Sequence, residues 1–256
     1  MFEKNVYLAF RIIRRNYGCP GMDGISIKEI KKNYDYYKNL LITNFNAGKY
    51  TFCPPKKVSI VDFLNKPRDI FVYSVLDRWM QQVIRLVIEP YVETKLRPYV
   101  FAYRRGKNFN TLVENILQRS PNYVLWLDIV DFNNSIDREI LIHQLKKIQS
   151  PPKYINAAIQ TLNHVPYGIP AGNCLSPMLS NLYLTNIDDK FTKNYCRFAD
   201  DMFFDINDSK LKDDIIFKLV PLINNLKLTL NHKKTKIIDN PSRLKAYVDP
   251  AHGLVF

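Results

Sequence analysis

Apolar residues recur at helical spacing at the start of the chain: Val6, Phe10, Ile13 and Tyr17 share one face, which predicts an amphipathic helix over Glu3 to Tyr17. The segment Gly18-Cys19-Pro20-Gly21-Met22-Asp23-Gly24 stops it, because its glycines and proline do not carry a helix forward. A second helix is predicted over Ile27 to Asn44. The pattern then turns extended from Tyr50 to Tyr73, with prolines at 54, 55 and 67. Next comes the clearest helical stripe in the chain, Trp79, Met80, Val83, Ile84, Val87 and Ile88, opposed by Arg78, Gln82 and Arg85. Pro90 is expected to close that helix.

From residue 123 the pattern alternates. Tyr123 to Val130 is an apolar run of strand length, and a helix is predicted from about Arg138 to Gln149. Ser176-Pro177 opens another through Leu184, with serine as N-cap and proline in the first turn. Tyr195 to Ile206 is largely apolar on both sides of Ala199-Asp200-Asp201, the pattern of a β-hairpin with acids at its turn. A helix is expected from about Ser209 to Leu226, with a kink at Pro221, and two or three short strands from Lys236 to Phe256. The fold class predicted is α+β: a small, mostly antiparallel sheet with helices on one face.

Composition narrows the function. The chain is 46% hydrophobic and 13% aromatic, so it folds around a core. It has no apolar run of about 18 residues, and Met1 to Arg15 lacks a continuous apolar core, so neither a membrane span nor a signal peptide is expected and the location expected is cytoplasmic. Cys19, Cys53, Cys174 and Cys196 are too scattered for a zinc site or a disulfide framework. The 37 Lys plus Arg against 24 Asp plus Glu give a net charge of +13, which points to a polyanionic partner. A generally basic protein would show the same charge.

Three Asp-Asp pairs stand out: 188-189, 200-201 and 213-214. The first and third lie in helix-like polar surroundings and are expected on solvated faces. Asp200-Asp201 differs, because Tyr195, Phe198, Met202, Phe203 and Phe204 force its carboxylates onto a semi-buried turn where adjacent anions repel. Asp128 ends the apolar run Val124-Leu125-Trp126-Leu127 and also needs a counter-charge. If the two strands lie side by side, Asp128 meets Asp200 in an oxygen-rich cage suited to Mg²⁺. Two such ions, about 3.5–4 Å apart, would serve an in-line displacement at phosphorus. Spacing alone leaves structural aspartates as an equal alternative.

Ordered segments resolve that choice by resemblance. Leu127-Asp128-Ile129 through Ile136-Asp137, then Gly168-Ile169-Pro170-Ala171-Gly172 with Ser176-Pro177 and Asn181, then Arg197-Phe198-Ala199-Asp200-Asp201, resemble the A, B and C motifs of reverse transcriptases. Leu230-Asn231 with Lys234-Thr235 resembles motif D, and Leu244-Lys245-Ala246-Tyr247 the strand of motif E. Lys66-Pro67-Arg68, Asp77-Arg78 and Tyr103-Arg104-Arg105-Gly106-Lys107 resemble finger motifs of the bacterial branch, which holds group II intron, retron, diversity-generating and phage-defence enzymes. The resemblance runs from about residue 20 onward. It implies a right-hand polymerase, with fingers over 1–121 and palm over 122–256. It also implies metal ligands at Asp128, Ile129, Asp200 and Asp201 for two Mg²⁺, with Mn²⁺ able to substitute. Lys234 becomes a proton donor to pyrophosphate or, on the plainer reading, one of four surface lysines between 227 and 236. Lys66 and Arg68 become grips on the incoming triphosphate, and Ile129, Phe132, Asn133, Ala171 and Gly172 complete the nucleotide pocket. Arg104, Arg105 and Lys107, with Lys56 and Lys57, become an RNA-binding surface, the alternative being a plain solvated face.

Three departures qualify these expectations. The family's aromatic residue five positions after the first aspartate, which blocks a ribose 2′-hydroxyl, is Asn133 here, with Phe132 just before it. Either Phe132 has taken that role or exclusion of ribonucleotides is weakened. Ala171 replaces a common Gln, so lower fidelity is expected. The sequence ends just after the motif E segment, where relatives continue into a helical thumb, so a protein partner, self-assembly or an RNA scaffold is expected to supply grip. The activity expected is DNA synthesis on an RNA template from dNTPs, in phage defence with a non-coding RNA. The rivals are a diversity-generating enzyme, a template-independent or RNA-making polymerase, and a non-catalytic RNA-binding subunit.

Overall fold

The computed structural model describes residues 2–16, 18–61, 67–208 and 211–247. In chain order the helices and strands are α1 (Phe2–Ile13), α2 (Ile27–Lys32), α3 (Tyr34–Asn46), β1 (Lys56–Val61), β2 (Pro67–Val72), α4 (Val75–Glu93), α5 (Phe109–Gln118), β3 (Tyr123–Leu127), α6 (Phe132–Ser135), α7 (Arg138–Lys146), α8 (Pro152–Leu162), α9 (Ser176–Tyr183), α10 (Thr185–Asp188), β4 (Tyr195–Phe198), β5 (Asp201–Ile206), α11 (Leu211–Asn225) and β6 (Lys236–Ile238). The mixture is the α+β class the pattern predicted. Two compact units emerge, residues 1–93 with 145–176, and residues 94–144 with 177–256.

In the first unit, α1 and α4 pack through Val6, Phe10 and Trp79, and the Trp79 indole donates to the Val6 carbonyl at 2.7 Å. Pro90 does not close α4; it lies inside the helix, which runs on to Glu93. Proline this near a helix end forfeits one amide donor where little helix is left to disrupt. The helix predicted over 27–44 is two, broken at Asn33, where φ −112 and ψ 39 leave the helical region. β1 and β2 form an antiparallel hairpin, Lys57 opposite Phe71 and Ile60 opposite Arg68.

The second unit is built on a four-stranded antiparallel sheet of order β4-β5-β3-β6. Alternation along each strand gives the sheet two faces. Val124, Cys196, Phe203 and Ile238 face α5, whose Leu112, Val113 and Ile116 complete that core. Leu125, Leu127, Met202 and Phe204 belong to the opposite set and are also buried. The segment expected as the motif E strand is a 3-10 turn, Pro241–Tyr247. Pro241 fixes φ, and the Asn240 side chain accepts from the Ser242 N–H, so the local geometry is a turn. Leu244 is driven fully into the α5 core. Of the strands expected beyond 236, β6 is formed; positions 248–256 lie outside the described residues.

Candidate active site

The β3–β5 pairing sets Leu127 opposite Met202. Asp128 therefore leaves the end of β3 beside the start of β5, where Asp201 pairs with Phe198 across the hairpin. Ala199 and Asp200 make the two-residue turn, and Ala199 takes φ +54, a left-handed conformation that L residues adopt at a cost. The turn is held from behind by Arg197, which is fully buried. Its guanidinium donates to the Ala199 carbonyl at 2.7 Å and to Asn181 Oδ1 at 3.0 Å. It forms a fork with Asp188, at 2.9 and 2.6 Å, and the Tyr195 hydroxyl donates to the same carboxylate at 2.9 Å. Asp188 is thus no solvated surface acid: it is 0% exposed and is the counter-charge of Arg197. Asp213 and Asp214 are exposed, as their pattern predicts.

Asp128 is buried and tied on both oxygens. Asn231 Nδ2 donates to Oδ1 and Lys234 Nζ to Oδ2, each at 2.8 Å, while the Asn231 N–H donates to the Asp128 carbonyl. The Trp126 indole donates to Asp201 Oδ1 at 2.7 Å. Burial, then the Asp128 charge, raises the Asp200 carboxyl above the usual carboxylate range. Burial pushes Asp201 up to about 7, with Asp200 and Asp128 adding to the rise against the Trp126 hydrogen bond. Lys234 is raised chiefly by its bond to Asp128 and so stays protonated. Asp128, Asp200, Asp201 and Lys234 are brought into one corner.

The remaining predicted residues lie as follows. Ile129 is buried and bridges antiparallel to Leu230, so its backbone continues the corner. Phe132 is buried under Tyr183, with ring centroids 6.5 Å apart, whereas Asn133 is exposed and meets Ser180 Oγ at 3.5 Å. Arg68, Ala171 and Gly172 belong to the first unit, where the Phe71 N–H donates to the Ala171 carbonyl at 2.8 Å. Lys66 lies outside the described residues. Ser176 is the first residue of α9, and its hydroxyl donates to the Pro170 carbonyl at 2.7 Å.

Arg104 and Lys107 turn inward. Arg104 donates to the Arg97 and Val100 carbonyls, Lys107 to those of Pro98 and Val100, with its ammonium 4.8 Å from the Phe101 ring centre. Arg105 is exposed. Sequence reasoning missed Trp126, an aromatic in an apolar run whose donor role depends on a partner 75 residues away. Tyr103, named there only as part of a finger motif, is half-buried at φ +60, and its hydroxyl is raised by burial and then by Asp200 and Asp201.

Residues 54–245 match the family described as reverse transcriptase (RNA-dependent DNA polymerase). The chain belongs to the reverse transcriptase family. It is 25% identical over 203 residues to the group II intron-encoded protein LtrA of Lactococcus lactis, covering 71% of this chain and 32% of that one. Against the Escherichia coli protein YkfC it is 21% identical over 273 residues, covering 85% and 72%. The putative COX1/OXI3 intron 1 protein of Saccharomyces cerevisiae is 22% identical over 201 residues. The chain spans 24% of that protein and 21% of an intron protein of Schizosaccharomyces pombe. Among solved structures, apo telomerase of Candida tropicalis shares the fold at a TM-score of 0.55 and 13% identity, covering 81% of this reverse transcriptase chain and 49% of the telomerase. As the family and the fold bear out, the chain is a polymerase-type α+β protein of the bacterial reverse transcriptase branch. Among its described residues no helix is long and apolar enough to cross a membrane.

Proposed function

We propose that this chain is an RNA-directed DNA polymerase whose fingers lie within 1–121 and whose palm, within 122–256, carries Asp128, Asp200 and Asp201 as ligands of two Mg²⁺, for which Mn²⁺ substitutes. The observation that carries the reading is strand pairing that presses three carboxylates into one corner with Lys234 as the nearby cation. Among the described residues no three ligand-type side chains close on a single point, since Asp128 is drawn to Asn231 and Lys234 and Asp201 to Trp126. The donor chemistry nonetheless fits a hard divalent cation: the set is all oxygen, and burial, with the charges of neighbouring carboxylates adding to it, raises Asp200 and Asp201. When bound, the ions would activate a primer 3′-hydroxyl and offset charge on the leaving pyrophosphate.

The chain's own residues do the rest. The Ala199-Asp200 turn, braced by Arg197, fixes where the carboxylates point, and Asn231 orients Asp128. As the 3′-hydroxyl gives up its proton to solvent and its oxygen bonds to the α-phosphorus, the bond from that phosphorus to the α–β bridging oxygen breaks, and protonated Lys234 would supply a proton to the departing pyrophosphate. Arg68 and Lys66 would grip the triphosphate, and Ala171 with Gly172 would line the nascent pair. The setting we propose is cytoplasmic phage defence with a non-coding RNA and a protein partner. The +13 charge supports the RNA, and the departures at Asn133 and Ala171 support a role apart from the intron-encoded relatives.

Nucleotide incorporation by the purified protein with its co-purifying RNA and Mg²⁺ tests this, beside the Asp200→Ala, Asp201→Ala double variant. Wild type is expected to make nuclease-sensitive DNA and the variant none. DNA made equally by both would reject these aspartates as ligands, and silence of both with RNA and partners supplied would favour a non-catalytic RNA-binding subunit. Sequencing the product separates a fixed non-coding template from a mutagenised one.

A further inference from the structure

The two aspartates of the turn are not held alike. Arg197 grips the backbone before Asp200, whereas Asp201 is held at its carboxylate by the Trp126 indole N–H. The sheet register makes that contact. Trp126 stands opposite Phe203 on β5 and opposite Lys236 on β6. Asp201, two residues before Phe203, points to the same face, one step along the diagonal. The indole is therefore enclosed on three sides: the Phe203 ring lies 5.0 Å away, Lys236 Nζ sits 3.9 Å above the ring centre, and Asp201 Oδ1 takes the N–H at 2.7 Å. A cation over an indole draws electron density from the ring and makes the N–H a stronger donor. Lys236 and Asp201 thus act on each other through the tryptophan.

We propose that Trp126, backed by Lys236, is a positioning residue for metal binding: it pins one oxygen of Asp201 and leaves the other directed for a divalent ion. This rests on the two-metal reading above and goes beyond it, since it gives a role to two residues outside the ligand set. A hydrogen-bond donor to a carboxylate ligand fixes its rotamer, and losing such a partner typically lowers metal affinity about 10- to 100-fold. Lys236 is exposed, so its role is not to fill the core.

The test compares Trp126→Phe, which keeps an aromatic ring beside Phe203 and loses the N–H together with the second ring of the indole, with Lys236→Met, which keeps the stem and loses the cation. Mn²⁺ binding, read by electron paramagnetic resonance on the full chain, is measured beside thermal unfolding. Trp126→Phe is expected to weaken Mn²⁺ binding about 10-fold, and Lys236→Met to weaken it by less. The double variant is expected to match Trp126→Phe, because the cation acts only through the N–H. Incorporation by Trp126→Phe should recover at raised Mg²⁺ with KM for dNTP unchanged, which a merely structural defect would not do. Wild-type Mn²⁺ affinity in a folded Trp126→Phe protein overturns the proposal and leaves the two-metal reading standing. Should Trp126→Phe fail to fold, Lys236→Met decides, and wild-type affinity there overturns it. A wild type that binds no Mn²⁺ overturns the two-metal reading and this proposal together.

Discussion

Arg197 shows how much one side chain holds. Its guanidinium is buried with Asp188, Asn181 and the Ala199 carbonyl as partners, so it links α9, α10 and the Ala199-Asp200 turn. Arg197→Met removes the cation and leaves Asp188 charged at zero exposure. Breaking one half of such a pair costs about 3–5 kcal/mol, and urea unfolding followed by circular dichroism is expected to show a loss in that range. A loss below about 1 kcal/mol, the scale of an exposed pair, would mean the pair is solvated. Asn133 is the opposite kind of residue, exposed and lightly bound, so its replacement tests chemistry without disturbing the core. Asn133→Phe is expected to lower ribonucleotide incorporation relative to deoxyribonucleotide by about 10-fold or more, an effect of roughly 1.4 kcal/mol or more in the transition state. An unchanged ratio in a primer-extension competition would show that Asn133 is not at the sugar.

At the scale of elements, the first unit contains a close approach that only glycine permits. Gly172 has φ +99, and an added Cβ would run into the Phe71 carbonyl, beside the bond from the Phe71 N–H to the Ala171 carbonyl. Gly172→Ala is expected to destabilise the protein by more than about 1 kcal/mol, seen as a lower thermal midpoint, and to weaken dNTP binding if β2 and this loop share the nucleotide. The sequence made some of these elements legible and hid others, for physical reasons. β3 and the β4–β5 hairpin were readable because burial on both faces leaves mostly apolar runs, and Asp200-Asp201 marks the turn. α5 and α8 escaped, since their stripes are short and their stability comes from the sheet and from α4. Asp128 and the acidic turn were visible as anomalies in apolar surroundings. The Trp126–Asp201 and Arg197–Asp188 bonds were not, because nothing local marks a tertiary partner. Asp188 was misread for that reason: a helical aspartate looks solvated until the arginine that buries it is known.

For the molecule as a whole, the question is which part of the +13 charge meets RNA, and the structure divides the cations by what they already do. Arg104 and Lys107 spend their donors on the carbonyls of residues 97–100, so they brace the segment that carries Tyr103. Arg105 stands between them in sequence and is exposed. A cation that binds phosphate releases a counterion, and its loss makes the logarithmic dependence of affinity on salt shallower by about 1. Fluorescence anisotropy with labelled RNA, between about 50 and 200 mM salt, should therefore give a shallower slope for Arg105→Ala, with unfolding unchanged. Lys107→Ala should do the reverse, lowering stability by about 1 kcal/mol for its lost bonds while leaving the slope near that of wild type. If Lys107→Ala instead flattens the slope at unchanged stability, its carbonyl contacts give way to phosphate when RNA binds. The RNA-binding surface would then include all three cations of this segment, and the bracing of Tyr103 would have to be assigned to other residues.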